Sequence, residues 1–293
     1  MAVIALMMTI SASAQFYIYC SDGNVIKVDS ISMVAPEEPE EPTPPAGIGT
    51  FSVSADKQVT FSKGNLQYTH STNTWSFAKN QWDMIGTDNV IGGTAFADKI
   101  DLFGWSGSTG FAKFGVSTST DWENGYSGSF VDWGTNQISS DAPNTWRTLT
   151  EDEWEYLLNT RANASSLKGV AQVNGVNGLI LLPDNWVCPA GVTFKSGFYR
   201  NSGVDSYAAY QTFTAAEWSL LESAGAVFLP AAGYRYGTTV YDVQDLGYYW
   251  SATEYGRGNA YYLYFSSGAA RMGNYNYDHG RDNGFSVRLV KDL

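Results

Sequence analysis

The sequence predicts an α+β domain in which two helices pack on an irregular, mainly antiparallel sheet with long ordered loops. Three observations support this class. Several short segments alternate apolar and polar residues, as strands with one buried face do. Two other segments combine an N-terminal capping box with apolar residues at helical spacing. Each of these helices is followed by a continuous apolar run of strand length, which favours helices packed on a sheet.

The alternating segments lie in the first part of the domain. Their apolar pairs are Val59 and Phe61, Leu66 and Tyr68, and Trp75 and Phe77. The turn Ser71-Thr72-Asn73 separates the last two pairs. Residues 86–145 are rich in Gly, Ser and Trp and have little periodicity. We therefore expect long ordered loops there, held in place by Trp105, Trp122 and Trp133.

Both predicted helices carry the same start signal. In the first, the side chains of Thr150 and Glu153 are expected to satisfy free N–H groups reciprocally, and Thr214 and Glu217 repeat the pattern in the second. Gly225 is the expected stop of the second helix. The apolar faces are Trp154, Leu157 and Leu158 in the first helix, and Trp218 and Leu221 in the second. The apolar runs that follow, residues 179–183 and 227–230, predict buried strands.

Composition disfavours two classes of partner. The chain has 293 residues and a formal net charge of −12. This charge disfavours nucleic acid, because binding a phosphate backbone requires cationic side chains. No run of Lys or Arg indicates an anionic membrane surface, and no segment is long and apolar enough to insert into a membrane. We expect Cys20 and Cys188 to be unpaired thiols, with Cys188 in the core.

The first 47 residues divide into three parts. Residues 1–14 are apolar and end in an A-x-A cleavage pattern, so we interpret them as the remnant of a signal peptide. Residues 15–34 predict a short β segment with a hairpin turn at Asp22-Gly23. Residues 35–47 are rich in Pro and Glu and predict a semi-rigid spacer before the main domain, residues 48–293. The protein is therefore expected to be exported to the cell surface or the extracellular space.

The tail, residues 247–293, is where we expect the functional surface. Apolar anchors recur at both of its ends, at Trp250, Leu263, Phe265, Phe285, Val287 and Leu289. Between them, residues 274–283 contain Asn, Tyr, Asp, His, Gly and Arg and no aliphatic side chain. Recognition surfaces favour Tyr, Asn and Arg, which give contact area and hydrogen bonds at a modest cost in entropy. The pattern predicts a binding face supported by a scaffold.

Six segments resemble a known group of proteins. They are LPAAGYR at 229–235, YYWSAT at 248–253, AYYLYF at 260–265, GFSVRLV at 284–290, WRTLTEDEWEYLL at 146–158 and FSVSADKQVTFSKGNLQY at 51–68. The chain resembles bacterial proteins with the C-type lectin fold, in the formylglycine-generating-enzyme subclass. More narrowly, it is similar to the variable proteins of diversity-generating retroelements and to their non-diversifying relatives. The resemblance covers roughly the whole segment after the spacer.

The resemblance implies a ligand-binding face within residues 255–283, with the apolar anchors as scaffold. Tyr262 and Tyr264 alternate with Leu263 and Phe265, so we expect both tyrosines to face solvent. The expected ligand-binding residues are Tyr255, Arg257, Asn259, Tyr262, Tyr264, Arg271, Asn274, Tyr275, Asn276, Tyr277, Asp278, His279, Arg281, Asp282 and Asn283. The expected partner is a protein or glycan on a cell or phage surface.

Residues 273–283 share a property at the level of codons. Retroelements of the resembled kind mutate adenines, typically in Asn codons. Changing only the adenines of AAY reaches Asn, Tyr, Asp, His, Gly and Arg, among others, and every residue from 273 to 283 belongs to that set. An ordinary polar loop has a similar composition, because Asn, Gly and Asp are common turn residues. Active diversification and a fixed surface are both open alternatives.

Few residues suggest catalysis or metal binding. The enzymatic branch of the resembled fold uses cysteines near its C-terminal groove, and this tail has none. Asn274-x-Asn276-x-Asp278 imitates the start of a calcium-binding loop, but its Gly comes one place late and no Glu closes it. His70 and His279 accompany no nucleophile motif. We expect a binding protein without cofactor, metal or catalysis; the alternatives are a structural or adhesive surface subunit and a hydrolase of unknown substrate.

Overall fold

The computed structural model describes the backbone of two short strands near the N-terminus and most of the domain that follows. The described residues are 16–19, 25–28, 49–89, 98–106, 128–199, 203–256, 258–273 and 280–293. Contacts divide the chain into two units, Met1–Thr43 and Pro44–Leu293. In the first unit, β1 (Phe16–Tyr19) and β2 (Val25–Val28) pair antiparallel, at the positions where the sequence predicts a hairpin.

The second unit consists mainly of short strands. They are β3 (Phe51–Ser52), β4 (Gln58–Phe61), β5 (Leu66–Thr69), β6 (Thr74–Phe77), β7 (Lys99–Ile100), β8 (Lys168–Val173), β9 (Val176–Leu181), β10 (Thr212–Phe213), β11 (Val227–Pro230), β12 (Tyr234–Tyr236), β13 (Thr239–Tyr241), β14 (Gly247–Tyr255), β15 (Asn259–Ser266), β16 (Ala269–Gly273) and β17 (Val290–Asp292). The sheets have the orders β17-β4-β3, β6-β5-β7, β10-β8-β9-β11, β12-β13 and β14-β15-β16. Among these strands only β8 and β10 pair in parallel. The predicted α+β class with mainly antiparallel sheets is confirmed.

Both predicted helices begin at their capping boxes. Helix α1 (Glu151–Glu155) follows Thr150 and continues as a single π turn, Tyr156–Thr160. Helix α3 (Ala215–Ser223) follows Thr214, whose hydroxyl accepts from the backbone N–H of Glu217 at 3.2 Å. A third helix, α2 (Val204–Tyr210), lies between them and was not predicted, because it has no side-chain cap to mark its start.

The two apolar runs after the predicted helices are neighbours in one sheet. β11 pairs antiparallel with β9, with Val227 opposite Leu181. β9 also pairs with β8 across the tight turn Asn174-Gly175, where both residues have positive φ, 48° and 80°. That Asn-Gly pair is a strong hairpin signal in the sequence, and it marks β8, which was not among the predicted strands.

Three apolar clusters form the core of the second unit. Trp105 and Trp133 are fully buried, as expected, and Trp122 lies outside the described residues. The expectation that Cys188 lies in the core is wrong, since this free thiol is exposed beside Val187, which is 78% exposed. In the part of the chain described, no helix has the length and apolar character needed to cross a membrane.

The carboxyl-terminal segment runs through the middle of this core. Every residue from Gly280 to Val290 is buried. Phe285 exchanges backbone hydrogen bonds with Phe103, and Ser286 exchanges them with strand β14 at Tyr248 and Trp250. The N–H groups of Ser62 and Leu66 donate to the carbonyls of Leu289 and Val287. The segment therefore joins the strands that open the domain to the β14–β16 sheet. 

Candidate functional site

The predicted binding face starts from the sheet β14-β15-β16, whose two faces are both covered. On one face, Tyr249 lies opposite Leu263 within the first core cluster. On the other, Trp250 lies opposite Tyr262 within the second. Residues on this sheet therefore alternate between its two faces, as predicted, but the aromatic residues between the apolar anchors pack against a second core cluster.

Tyr262 corrects one expectation. It was expected to face solvent, and its exposed fraction is only 3%. Its ring packs on Phe285, with centroids 5.0 Å apart, and on Trp250 at 6.1 Å. A Cβ at the cross-strand neighbour Gly273 would lie 2.4 Å from the same ring. Tyr262 and Gly273 thus belong to the scaffold, because a side chain at position 273 would displace the buried ring of Tyr262.

Arg281 also belongs to the interior, although it was expected on the face. It is 2% exposed, and its guanidinium lies 4.3 Å from the ring centroid of Trp105. Nε donates to the carbonyl of Asn259 at 2.9 Å, and Nη2 lies 2.7 Å from the carboxylate of Glu254. The side chain fastens the ends of strands β14 and β15 next to their connecting turn.

Asp282 and Asn283 are buried as well, which corrects the same expectation for both. Asn283 is fully buried, and its Nδ2 donates to the carbonyl of Gly280 at 3.1 Å. Asp282 carries the charge opposite to that of Arg235, which is 1% exposed. Burial lowers the pKa of Arg235 to about 10, and the negative charge of Asp282 acts in the opposite direction. Polar residues are internal here because the segment carrying them crosses the core.

Four expected face residues are accessible in part or fully. Tyr255, Asn259 and Tyr264 are half-buried, and Arg271 is exposed. Arg271 is the cross-strand partner of Tyr264, and its guanidinium lies 5.4 Å from the centroid of that ring. This geometry allows a cation–π contact at the surface.

Two tyrosines that sequence reasoning missed extend this surface. Tyr234 on β12 stacks on Tyr241 on β13, with centroids 5.4 Å apart, and Tyr241 is 42% exposed. Tyr248 contacts both Tyr234, at 5.2 Å, and Tyr264, at 5.4 Å. We call Tyr234, Tyr241, Tyr264 and Arg271 the tyrosine rim. The tyrosines at positions 234, 236 and 241 around Gly237 were the signal that would have found the hairpin.

Desolvation dominates the electrostatics below the tyrosine rim. Burial raises the pKa of Tyr248 above its usual range, and the neighbouring tyrosines and Asp242 act in the same direction. Burial also raises the pKa of Tyr234, with a further contribution from Asp242. The phenols of Tyr248 and Tyr234 therefore stay protonated at physiological pH.

The remaining expected residues, Arg257 and residues 274–279, lie outside the described part of the chain. The residues next to them are described. Gly273 pairs with Tyr262, and Gly280 bridges to Asn259, so the described residues on either side of positions 274–279 both pair with strand β15. Within the described ranges, no group of three or more His, Cys, Asp or Glu side chains is placed to hold a metal ion.

Comparison with known proteins gives one match. Residues 205–290, from helix α2 to the end of the buried carboxyl-terminal segment, match a family model described as a domain of unknown function (DUF8237). No curated protein and no solved structure matches the chain.

Proposed function

We propose that this protein is an exported, non-catalytic binding protein with a C-type lectin fold of the formylglycine-generating-enzyme subclass. Its ligand is a protein or glycan on a cell or phage surface. The recognition surface consists of residues 274–279 and Arg257 together with the accessible side chains of Tyr255, Asn259, Tyr264 and Arg271. Because the chain resembles the variable proteins of diversity-generating retroelements, we propose that this surface is diversified or diversifiable.

The pairing and burial of the described residues on either side of positions 274–279 support the proposal most directly. Both described neighbours, Gly273 and Gly280, are tied to β15, and the residues from Gly280 to Val290 are buried. A recognition site gains affinity when its supporting residues are already ordered before the ligand binds. Such a frame tolerates replacement of the residues that it carries.

The chemistry of the accessible residues supports binding. Tyrosine and arginine are enriched among the residues that dominate binding energy at interfaces. The tyrosine rim places three rings and one guanidinium together at the surface. This combination suits apolar and hydrogen-bonding contact with a protein or a glycan.

A second candidate is a structural or adhesive surface subunit whose tail is fixed. The burial of Arg281, Asp282 and Asn283 favours it, because random replacement of buried residues destabilises a protein. In that case, the residue types that adenine changes in Asn codons can produce also occupy positions 281–283, where replacement would destabilise the fold. Under the first candidate, diversification stops before Gly280.

Sequencing the DNA that flanks the gene separates these candidates. A neighbouring reverse-transcriptase gene, with a near-copy of the tail codons that differs only at adenines, supports diversification. We expect those differences at Arg257 and residues 274–279 and not at 281–283. The absence of such a near-copy from the complete locus would favour the fixed surface.

A library test examines the frame itself. Codons 274–279 are randomised in the displayed full chain, which is then selected for binding to hen-egg lysozyme as an arbitrary protein probe. A matched library varies codons 281–283. We expect folded members and binders in the first library and mostly unfolded members in the second. Equal loss of folded protein in both libraries would contradict a variable surface on a fixed frame.

A further inference from the structure

A second cleft lies apart from the predicted face. It has a volume of about 570 Å³ and lies between strand β4, the segment 62–63, the loop holding Trp146, and the end of helix α3. None of its lining residues belongs to the predicted face or to the tyrosine rim. Its size is within the usual range for small-molecule sites.

Two aromatic side chains form one wall. Phe77 and Trp146 are half-buried and meet edge to face, with centroids 5.1 Å apart. The indole N–H of Trp146 donates to Oδ2 of Asp141 at 2.8 Å, which fixes the orientation of both side chains. The wall is therefore a preformed apolar surface with a carboxylate at its edge.

A second carboxylate lines the cleft at the end of helix α3. Oε1 of Glu222, in the last turn of α3, accepts from Nε2 of Gln81 at 3.0 Å. Gln81 is itself 5% exposed and fixed by the carbonyl of Ala226 and the N–H of Phe228. Among the described residues, Oε2 of Glu222 and Oδ1 of Asp141 have no hydrogen-bond partner. Each carboxylate thus keeps one oxygen available to a ligand.

Charged groups of both signs line the cleft. Lys63 is exposed on its rim and joins Asp141 and Glu222 in the lining. An anion would meet two carboxylates, and a cation would meet the ammonium group of Lys63. A neutral ligand with hydroxyls can donate to the carboxylates and accept from Lys63 at the same time.

We propose that this cleft binds a neutral sugar. The C–H edges of a pyranose ring pack on Trp146 and Phe77, while its hydroxyls donate to Asp141 and Glu222. The site is distinct from the proposed recognition surface, so the protein has two independent places for ligands.

Saturation-transfer NMR on the full chain tests this. The probes are glucose, galactose, mannose and N-acetylglucosamine at millimolar concentration, with tetramethylammonium and methanesulfonate as charged comparators. We expect transfer to at least one sugar, with affinity reduced about tenfold or more in Glu222→Gln and Trp146→Ala. Glu155→Gln and Trp186→Ala, which change the same residue types outside the cleft, should bind as the wild type does.

Thermal melts identify variants that fail to fold, and the nearly isosteric Glu222→Gln keeps the test valid if Trp146→Ala is one of them. No transfer to any of the four sugars would overturn the proposal. Unchanged sugar binding by Glu222→Gln would place the sugar elsewhere and would also overturn the proposal. Stronger transfer to tetramethylammonium or methanesulfonate than to every sugar would overturn it too.

Discussion

The two stretches that flank residues 274–279 contrast sharply. Before them, β16 (Ala269–Gly273) exposes Ala269 and Arg271. After them, every residue from Gly280 to Val290 is buried, including Arg281, Asp282 and Arg288. Both stretches contain Gly and Arg, so residue type alone does not separate them.

The number of backbone neighbours explains the difference. Among the strands that the structure describes, β16 is at the edge of its sheet and pairs with β15 alone. Phe285 and Ser286 instead bond to backbone on both sides, to Phe103 and to strand β14. Backbone bonded on both of its edges is surrounded by protein, and the polar side chains that it carries are then internal.

The largest expected effect tests the scaffold. Trp250→Ala and Phe265→Ala should each lower the free energy of unfolding by about 3–5 kcal/mol, because both side chains are fully buried in the two core clusters. Val187→Ala removes apolar atoms from a surface position and should cost within about 0.5 kcal/mol. Urea titrations of the three variants measure these values, and comparable costs for all three would refute the scaffold assignment.

Arg271 and Arg281 allow a direct comparison of the exposed and the buried stretch. Arg281→Ala should cost about 2–3 kcal/mol, since it removes charged hydrogen bonds and the contact with Trp105. Arg271→Ala, on the edge strand, should stay within about 0.5 kcal/mol. Chemical denaturation under identical conditions provides the measurement. If Arg271→Ala lowered the free energy of unfolding more than Arg281→Ala, the assignment of Arg281 to the interior and Arg271 to the surface would be wrong.

Local signals predicted the elements of the fold. The capping boxes at Thr150 and Thr214 and the alternation at Val59 and Phe61 depend on neighbours within a few residues, so the sequence reveals them. Helix α2 has no side-chain cap. In the π turn after α1, the carbonyls of Leu157 and Leu158 accept from Arg161 and Lys168. Neither element has a start signal like the capping boxes, so neither was predicted.

The candidate site was predictable only in part. Tyr264 and Arg271 reach the surface as expected, whereas Tyr262, one pleat repeat away, is covered by Phe285. Alternation cannot distinguish these tyrosines, because an amphipathic ring suits either environment. The burial of Arg281 depends on Trp105, which is far away in the chain. Long-range neighbours of this kind leave no local pattern.

A smaller expected effect is the loss of stability in acid, through the ion pairs of Glu153 and of Asp292 near the chain's carboxyl end. Burial raises the pKa of Glu153, but hydrogen bonds from Arg147, the Thr150 N–H and Lys57 outweigh it and hold the pKa below its usual value. Arg147 also lowers the pKa of Asp292 on β17. Because both folded pKa values lie below the unfolded ones, their stabilisation is present above about pH 4.5 and is lost as the pH falls further.

The variant Glu153→Gln isolates this contribution, because glutamine preserves the capping box while removing the charge. With allowance for solvent screening, it should cost about 1 kcal/mol at neutral pH and flatten the dependence of stability on pH below about 4.5. Urea midpoints from pH 7 to pH 3 measure both. Glu155→Gln on the same helix is the control, and an unchanged pH profile in Glu153→Gln would exclude the network as the cause.

The smallest expected effect tests where tolerance to replacement ends. Asn276→Tyr and Asn283→Tyr can arise from the same adenine change in an Asn codon. Under the recognition hypothesis, Asn276→Tyr leaves the free energy of unfolding within about 0.5 kcal/mol. Asn283 is fully buried and bonded to Gly280, so a tyrosine there overpacks the core and costs about 1–3 kcal/mol. Thermal melts compare the pair, and a cost at Asn276 equal to that at Asn283 would mean that the variable surface and the scaffold are not separate parts of this tail.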